Sequence, residues 1–288
     1  MRKPSKILLQ TTIPVTQDDW SIARFDLLRG FLAGLKDQTG APLFDVTARD
    51  RAPLGSPDPV LSNLGGSDYE ALWLFAVDNG DNLTPEDCGG ITAFRQRGGG
   101  IMVTRDHMDL GSSICTLGGI GAAHHFHTRN VHPDDARHMI DDPFTTYISW
   151  PNFHSGANGD YQEISVAGPM HPVLAGVRYL PAHPHEGDVD APPGDASARV
   201  IAMGRSKVTG RPFNLAVAFE ASKAGGRAIA QSTFHHFADY NWDIAAGCPS
   251  FVSEPPGHAM AADPAAQESV RTYARNVALW LVDRPVAP

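Results

Sequence analysis

Cysteine is scarce in this chain, and the three present, Cys88, Cys115 and Cys248, are odd in number and far apart. No Cys-x-x-Cys spacing offers a zinc ribbon or a redox dithiol, so the thiols are expected to be reduced and structural. Long apolar runs are also missing: nothing approaches the ~20 residues needed to span a bilayer. The basic start, Met1-Arg-Lys-Pro-Ser-Lys, is followed by Ile7-Leu-Leu-Gln-Thr-Thr-Ile-Pro14, too short and polar for a secretory core and better suited to a first β-strand. The expected location is cytoplasmic, with no membrane partner. Positive charge is short as well, 23 Lys and Arg against 32 Asp and Glu, for a net charge of -9 with histidines neutral. Without a basic stripe, a nucleic-acid backbone is not an expected partner. A small-molecule substrate remains, with homo-oligomerisation open.

What is present is an alternation of strand and helix signals. Asp18 or Asp19 can cap a helix in which Ile22, Phe25, Leu28, Leu32 and Leu35 recur at helical spacing. Phe44 to Ala48 is a short strand, and a Pro- and Gly-rich loop follows from Pro53 to Gly66. Ala71-Leu-Trp-Leu-Phe-Ala-Val77 is the continuous apolar run of a strand covered on both faces. Thr84-Pro85-Glu86-Asp87 opens a helix that Gly98-Gly-Gly100 ends. The β-α-β order calls for a right-handed crossover and a parallel sheet. Beyond residue 107 the chain turns irregular and His-rich to about Asn158, as segments wrapped over a site do. Strands are then expected at Glu163–Ala167, Arg199–Met203, Phe213–Phe219 and Arg227–Thr233. Pro181 to Ser197 reads as an exposed insertion. Val270, Ala274, Val277 and Leu281 mark the buried stripe of a last helix over Ala265–Asp283.

Two strand-like runs end in ionisable side chains: Gly100-Ile-Met-Val-Thr-Arg-Asp106-His107 and Gly226-Arg-Ala-Ile-Ala-Gln-Ser-Thr-Phe-His235-His236. Loops beyond the carboxyl ends of parallel strands form the ligand crevice, which makes Asp106, His107, His235 and His236 candidate catalytic residues. Each has a plainer reading. Asp106 suits a helix cap, His107 a hydrogen-bonded core position, and only one of two neighbouring histidines at a strand end can face the crevice. His235 is favoured over His236 by its resemblance to a family motif given below. Asp78 and Asn79 follow the central strand and suit either ligand hydroxyls or a turn. Tyr240 and Trp242, like Trp150, Asn152 and His154, offer the aromatic faces and polar groups that hold a sugar, or else cover the core. His124, His125 and His127 read as loop histidines, and His171-Pro172 and His183-Pro184 as structural turns.

The order of Asp81-Asn-Leu-Thr-Pro-Glu, Phe94-Arg-Gln-Arg-Gly-Gly-Gly-Ile-Met-Val, His171-Pro172-Val-Leu-Ala-Gly176 and a late Gly-Gly-Arg strand ending in His resembles the trehalose-utilisation, or ThuA-like, family. That family belongs to the class I glutamine amidotransferase-like fold. The resemblance implies one domain over residues 1–288: an α/β, flavodoxin-like three-layer sandwich with a mainly parallel sheet and β-rich additions in the second half. It also implies an association with sugar or sugar-derivative metabolism. Amidotransferases of this fold carry a nucleophilic Cys in a Gly-x-Cys-x-Gly turn, whereas the equivalent turn here, Thr104-Arg105-Asp106-His107, has none and Cys115 lies too far along. Glutaminase chemistry is therefore not expected. Phe234-His235-His236 is similar to the first two positions of the amidotransferase Phe-His-Pro-Glu; the Glu is lost, leaving Asp239 to orient an imidazole.

The expected function is a hydrolase or lyase acting on a small polar molecule such as a sugar derivative, through water activation or proton transfer at Asp106, His107 and His235. No cofactor is required on this reading. Alternatively Asp106 and His107, with one or more of His154, His235 and His236, hold a divalent metal such as zinc. A non-catalytic ligand-binding or regulatory protein on the same fold is the other reading.

Overall fold

The computed structural model describes residues 3–16, 20–117 and 119–286; Asp18, Asp19 and the side chain of Cys115 lie outside it. The first half alternates as its periodicity requires. Strands β1 (Ser5–Thr11), β2 (Phe44–Arg49), β3 (Ala71–Phe75) and β4 (Gly100–Thr104) pair in parallel in the order β2-β1-β3-β4. Helices α1 (Asp26–Gly34) and α2 (Pro85–Gln96) lie in the connections. The start of α2 is fixed locally. Thr84 Oγ1 accepts from the Asp87 N–H at 3.2 Å, Asp87 accepts from the Thr84 N–H at 3.1 Å, and Pro85 has no N–H to leave unpaired.

The second half contributes β5 (His124–His125), β6 (Tyr161–Glu163), β7 (Ser165–Val166), β8 (Tyr179–Pro181), β9 (Asp188–Val189), β10 (Ala198–Arg205), β11 (Pro212–Phe219) and β12 (Ala228–Gln231). Helices α3 (Asp239–Trp242), α4 (Ala259–Ala262) and α5 (Pro264–Leu281) complete it. The eight-stranded sheet runs β2-β1-β3-β4-β12-β11-β10-β7, parallel as far as β12 and antiparallel beyond. β5 pairs with β9, and β6 with β8, in two small ladders outside it.

Alternation along the central strands divides the core. Trp73, Phe75 and Met102 pack with Leu28 and Leu32 of α1 and Val270 and Val277 of α5. Leu72, Leu74, Ile101 and Val103 pack with Ile91 and Phe94 of α2 in a separate cluster. Successive side chains of a strand point to opposite faces, so both faces of the sheet carry apolar cover. No helix among the described residues is long and apolar enough to cross a membrane.

Two expectations need correction. The strand over 163–167 is split at Ile164, with β6 pairing to β8 and β7 to the main sheet. Pro181–Ser197 is not an exposed insertion, because Ala182, His183, Glu186, Asp188 and Val189 are buried. Its acidic residues find partners indoors: Glu186 accepts from Ser155 and Ser232, and Asp188 pairs with Arg137.

Candidate functional site

The sheet order brings the two polar strand ends together. β4 and β12 are parallel neighbours with Thr104 opposite Gln231, so the segments beyond them emerge side by side, and the Phe234 N–H donates to the Arg105 carbonyl at 2.9 Å. Thr233 Oγ1 then accepts from the His235 N–H at 3.2 Å and starts the short turn that carries His235. The buried Arg105 guanidinium donates to the His125 carbonyl and, at 2.7 Å, to the Met108 carbonyl, and lies over the Phe126 ring at 3.9 Å. It fastens the end of β4 to the β5-β9 ladder. A Cβ at Gly187 would stand 2.5 Å from Arg105 Nε and 2.7 Å from the Asp106 carbonyl, so only glycine lets the His183–His185 segment close over this point.

Asp106 is the centre of what results. Its Oδ2 lies 3.2 Å from His235 Nε2, and its Oδ1 lies 3.3 Å from His107 Nδ1 and 4.0 Å from His183 Nε2. The His183 and His235 rings stack at 3.3 Å. Each is held from behind: His183 Nδ1 meets Asn158 Oδ1 at 2.6 Å, and Tyr240 Oη meets His235 Nδ1 at 3.3 Å. Because an amide oxygen only accepts, His183 Nδ1 carries the proton and Nε2 presents a lone pair. The cluster forms the floor of a cavity of about 230 Å³. Trp20, Tyr147 and Phe251 stand around it, with Trp20 edge-on to His235 at 4.5 Å.

Electrostatics favour the carboxylate at Asp106, while burial disfavours the charged forms of His183, His185 and His235. Burial opposes the charge on Asp106, yet the adjoining His107 and His235 hold its carboxyl well below the usual range. Burial pushes His183 well below the ordinary histidine value, pushes His235 down against the pull of Asp106, and pushes His185 down to about 3. Burial raises the Tyr240 phenol well above its ordinary value, so it stays protonated.

Of the residues singled out from sequence, Asp106, His107, His235 and Tyr240 line this cavity together. Asp106 does not cap a helix; its carboxylate partners are imidazoles. His236 turns away, its Nδ1 2.7 Å from the Gln231 amide and its Nε2 3.3 Å from Glu186, because neighbours on a turn diverge. Asp78 accepts from the Gly80 N–H within its own turn and from the Ser113 hydroxyl of the segment beyond β4, and Asn79 is exposed away from the cavity lining. Trp150 stacks on His138 at 3.8 Å, Asn152 is buried outside the lining, and the Trp242 indole donates to the His236 carbonyl. His154 sits one step back, 3.2 Å from the lining residue Glu254; burial lowers its pKa, but the Glu254 hydrogen bond prevails and raises it. Asp239 orients no imidazole. It accepts from the Leu27 and Asp26 N–H groups at the start of α1, and burial pushes its carboxyl up to about 6.

His183, expected in a structural turn, instead reaches Asp106, and His185, Asn158, Trp20 and Glu254 join the lining. The signal available for the first two was His183-Pro-His185 itself, two imidazoles on one side of an extended dipeptide step. His124 and His125, expected as loop histidines, are buried in the ladder with β9. His171 does serve a turn, its Nδ1 accepting from the Val173 N–H at 3.3 Å.

No family model and no curated protein matches the sequence. Among solved structures, a cytoplasmic protein from Salmonella typhimurium LT2 is 11% identical with a TM-score of 0.48, over 94% of this chain and 99% of that one. The N-terminal domain of mmIFT52 is 10% identical with a TM-score of 0.45, over 84% and 94%. An exo-beta-1,4-mannosidase from Opitutaceae bacterium strain TAV5 is 10% identical with a TM-score of 0.39, over 95% of this chain but 35% of that one. These are loose likenesses in architecture, and what those proteins do stays with them.

Proposed function

We propose that the protein is a hydrolase or lyase that activates water, or moves a proton, at the Asp106-centred cluster on a small polar substrate such as a sugar derivative. The observation that carries this is the convergence of Asp106, His183 and His235 on the cavity floor, with the His183 lone pair aimed inward. A water seated between Asp106 and His183 Nε2 gives its proton to that nitrogen, while Asp106 stabilises the imidazolium that forms. Trp20, Tyr147 and Phe251 supply flat apolar faces for sugar C–H groups, and His107, His185 and Glu254 supply hydroxyl partners.

On the same reading the architecture is a flavodoxin-like three-layer sandwich, supported by the order β2-β1-β3-β4-β12 and by apolar clusters on both sheet faces. The ThuA-like relationship and a cytoplasmic location are proposed with it.

The test is a thermal-shift screen of sugar lactones, glycosylamines and sugar acids, followed by turnover of each hit by wild type and Asp106→Asn. Conversion by wild type that drops at least 100-fold in the variant supports the reading. A ligand bound equally by both and converted by neither makes the protein a binding module.

A further inference from the structure

The buried polar atoms around Asp106 do not balance. Asp106 Oδ1, His107 Nδ1 and His183 Nε2 are all shielded from solvent and none makes a hydrogen bond, although they lie within 3.3 to 4.0 Å of one another through Asp106. His185 Nδ1 and Asp142 Oδ2, 3.3 Å apart, are in the same condition. Buried donors and acceptors are almost always paired, and an unpaired one costs roughly 1–3 kcal/mol. At His183 the mismatch has a sign. Its proton is committed to Asn158 on Nδ1, so the Nε2 lone pair faces a carboxylate oxygen, and two electron-rich atoms meet with nothing positive between them.

From this geometry we infer a resident divalent first-row metal ion held by Asp106, His183 Nε2 and His235 Nε2, a deepening that rests on the proposed function. One ligand atom from each of these residues lies within 4.8 Å of the others, all buried. Tetrahedral bonds of about 2.0–2.1 Å place neighbouring donors about 3.3 Å apart, close to the 3.2 Å between Asp106 and His235; the 4.0 Å to His183 closes with a turn of the His183 ring out of its stack on His235, which lets both lone pairs converge on the ion. Asn158 and Tyr240 hold the far nitrogens of the two imidazoles, the arrangement by which outer partners fix the ring orientation of a metal-ligating histidine. They are positioning residues. Three protein ligands leave a coordination position toward the cavity for water or a substrate oxygen, as in catalytic rather than structural sites. With the ion present His183 is a ligand, and proton transfer passes to His107 or His185 at the cavity wall.

The experiment uses untagged full-length protein, metal content by mass spectrometry, and Zn2+ titration of chelator-treated protein against a chromogenic competitor. One equivalent of Zn2+ is expected, with affinity lowered at least 100-fold by His183→Ala and by Asp106→Asn, and 10- to 100-fold by Asn158→Ala. His127→Gln, outside the cavity lining, should leave stoichiometry and affinity unchanged. Circular dichroism of each metal-free variant separates lost ligation from lost fold, and Asn158→Ala keeps the ligands intact if the others fail to fold. Less than 0.1 equivalent bound, or binding that survives both ligand variants, overturns the site. Undiminished turnover by metal-free protein overturns it too, while leaving the acid-base reading intact. Stoichiometric Fe2+ in place of Zn2+, lost in the ligand variants and without hydrolysis, keeps the metal site and removes the hydrolase, because two histidines and a carboxylate also suit non-haem iron.

Discussion

His235 and His236 are adjacent, equally buried, and each is beside a carboxylate, yet the two surroundings differ in one respect. Around His236 most polar atoms are accounted for. Tyr273 donates to Gln231 at 2.6 Å, the Gln231 amide donates to His236 Nδ1, and His236 Nε2 faces Glu186. Glu186 also accepts from Ser155 at 2.5 Å, Gln162 at 2.6 Å and Ser232 at 2.8 Å. Around His235 the carboxylate keeps one oxygen without a hydrogen bond, and two imidazoles present unused nitrogens to the same space. A sealed, largely satisfied cluster fixes the packing of the layers it joins; an open, unsatisfied one is poised to bind.

The comparison breaks most visibly through the two carboxylates. Asp106→Asn should abolish turnover while leaving the urea unfolding of metal-free protein unchanged or slightly harder, since it removes a buried charge that lacks full pairing. Glu186→Ala should cost roughly 3 kcal/mol or more of stability, because it strands two hydroxyls, an amide and an imidazole in the interior. If Glu186→Ala folds like wild type but is inactive, the sealed cluster belongs to the site and the distinction is wrong.

A smaller effect sharpens it through pH. His171 lies outside both clusters, and burial pushes its pKa down to about 4 against the pull of Glu220. The unfolded chain takes up this proton near pH 6.5 and the folded chain near 4, so the stability it contributes is intact above 6.5 and is lost as pH falls from 6.5 to 4. Urea midpoints at pH 7, 6 and 5 should therefore decline, and His171→Asn, which keeps an acceptor for the Val173 N–H, should make the decline shallower. An equal slope in the variant would assign the loss to other histidines. The smallest effect belongs to the locally encoded half: Thr84→Ala should lower stability by about 1 kcal/mol, measured by thermal unfolding, with no change in ligand binding.

The first half and the last helix were readable because their signals are local. The Thr84 cap, the stop at Gly98, the apolar run of β3 and the α5 stripe each act within a few residues, and the structure places those elements within a few residues of their expected ends. Asp106 and His235 were readable for a related reason: they end strands, and parallel strands share a crevice. His183 was not. His183-Pro184 taken alone does not distinguish a turn from a ligand, its one signal being the spacing to His185, and its approach to Asp106 depends on Gly187 letting the segment close against Arg105. Asp239 and Trp242 misled because nearness in sequence to His235 says nothing about direction once the chain enters α3.

By itself the sequence determined the alternation of strands and helices, the lack of a reactive cysteine at the β4 turn and the two polar strand ends, because periodicity, capping and composition act over short range. Tertiary structure alone decided which histidines meet, which carboxylate is satisfied and which segment is buried. Those outcomes depend on pairing residues up to 129 positions apart, as between Asp106 and His235, and on the interior leaving some polar atoms without a hydrogen-bond partner.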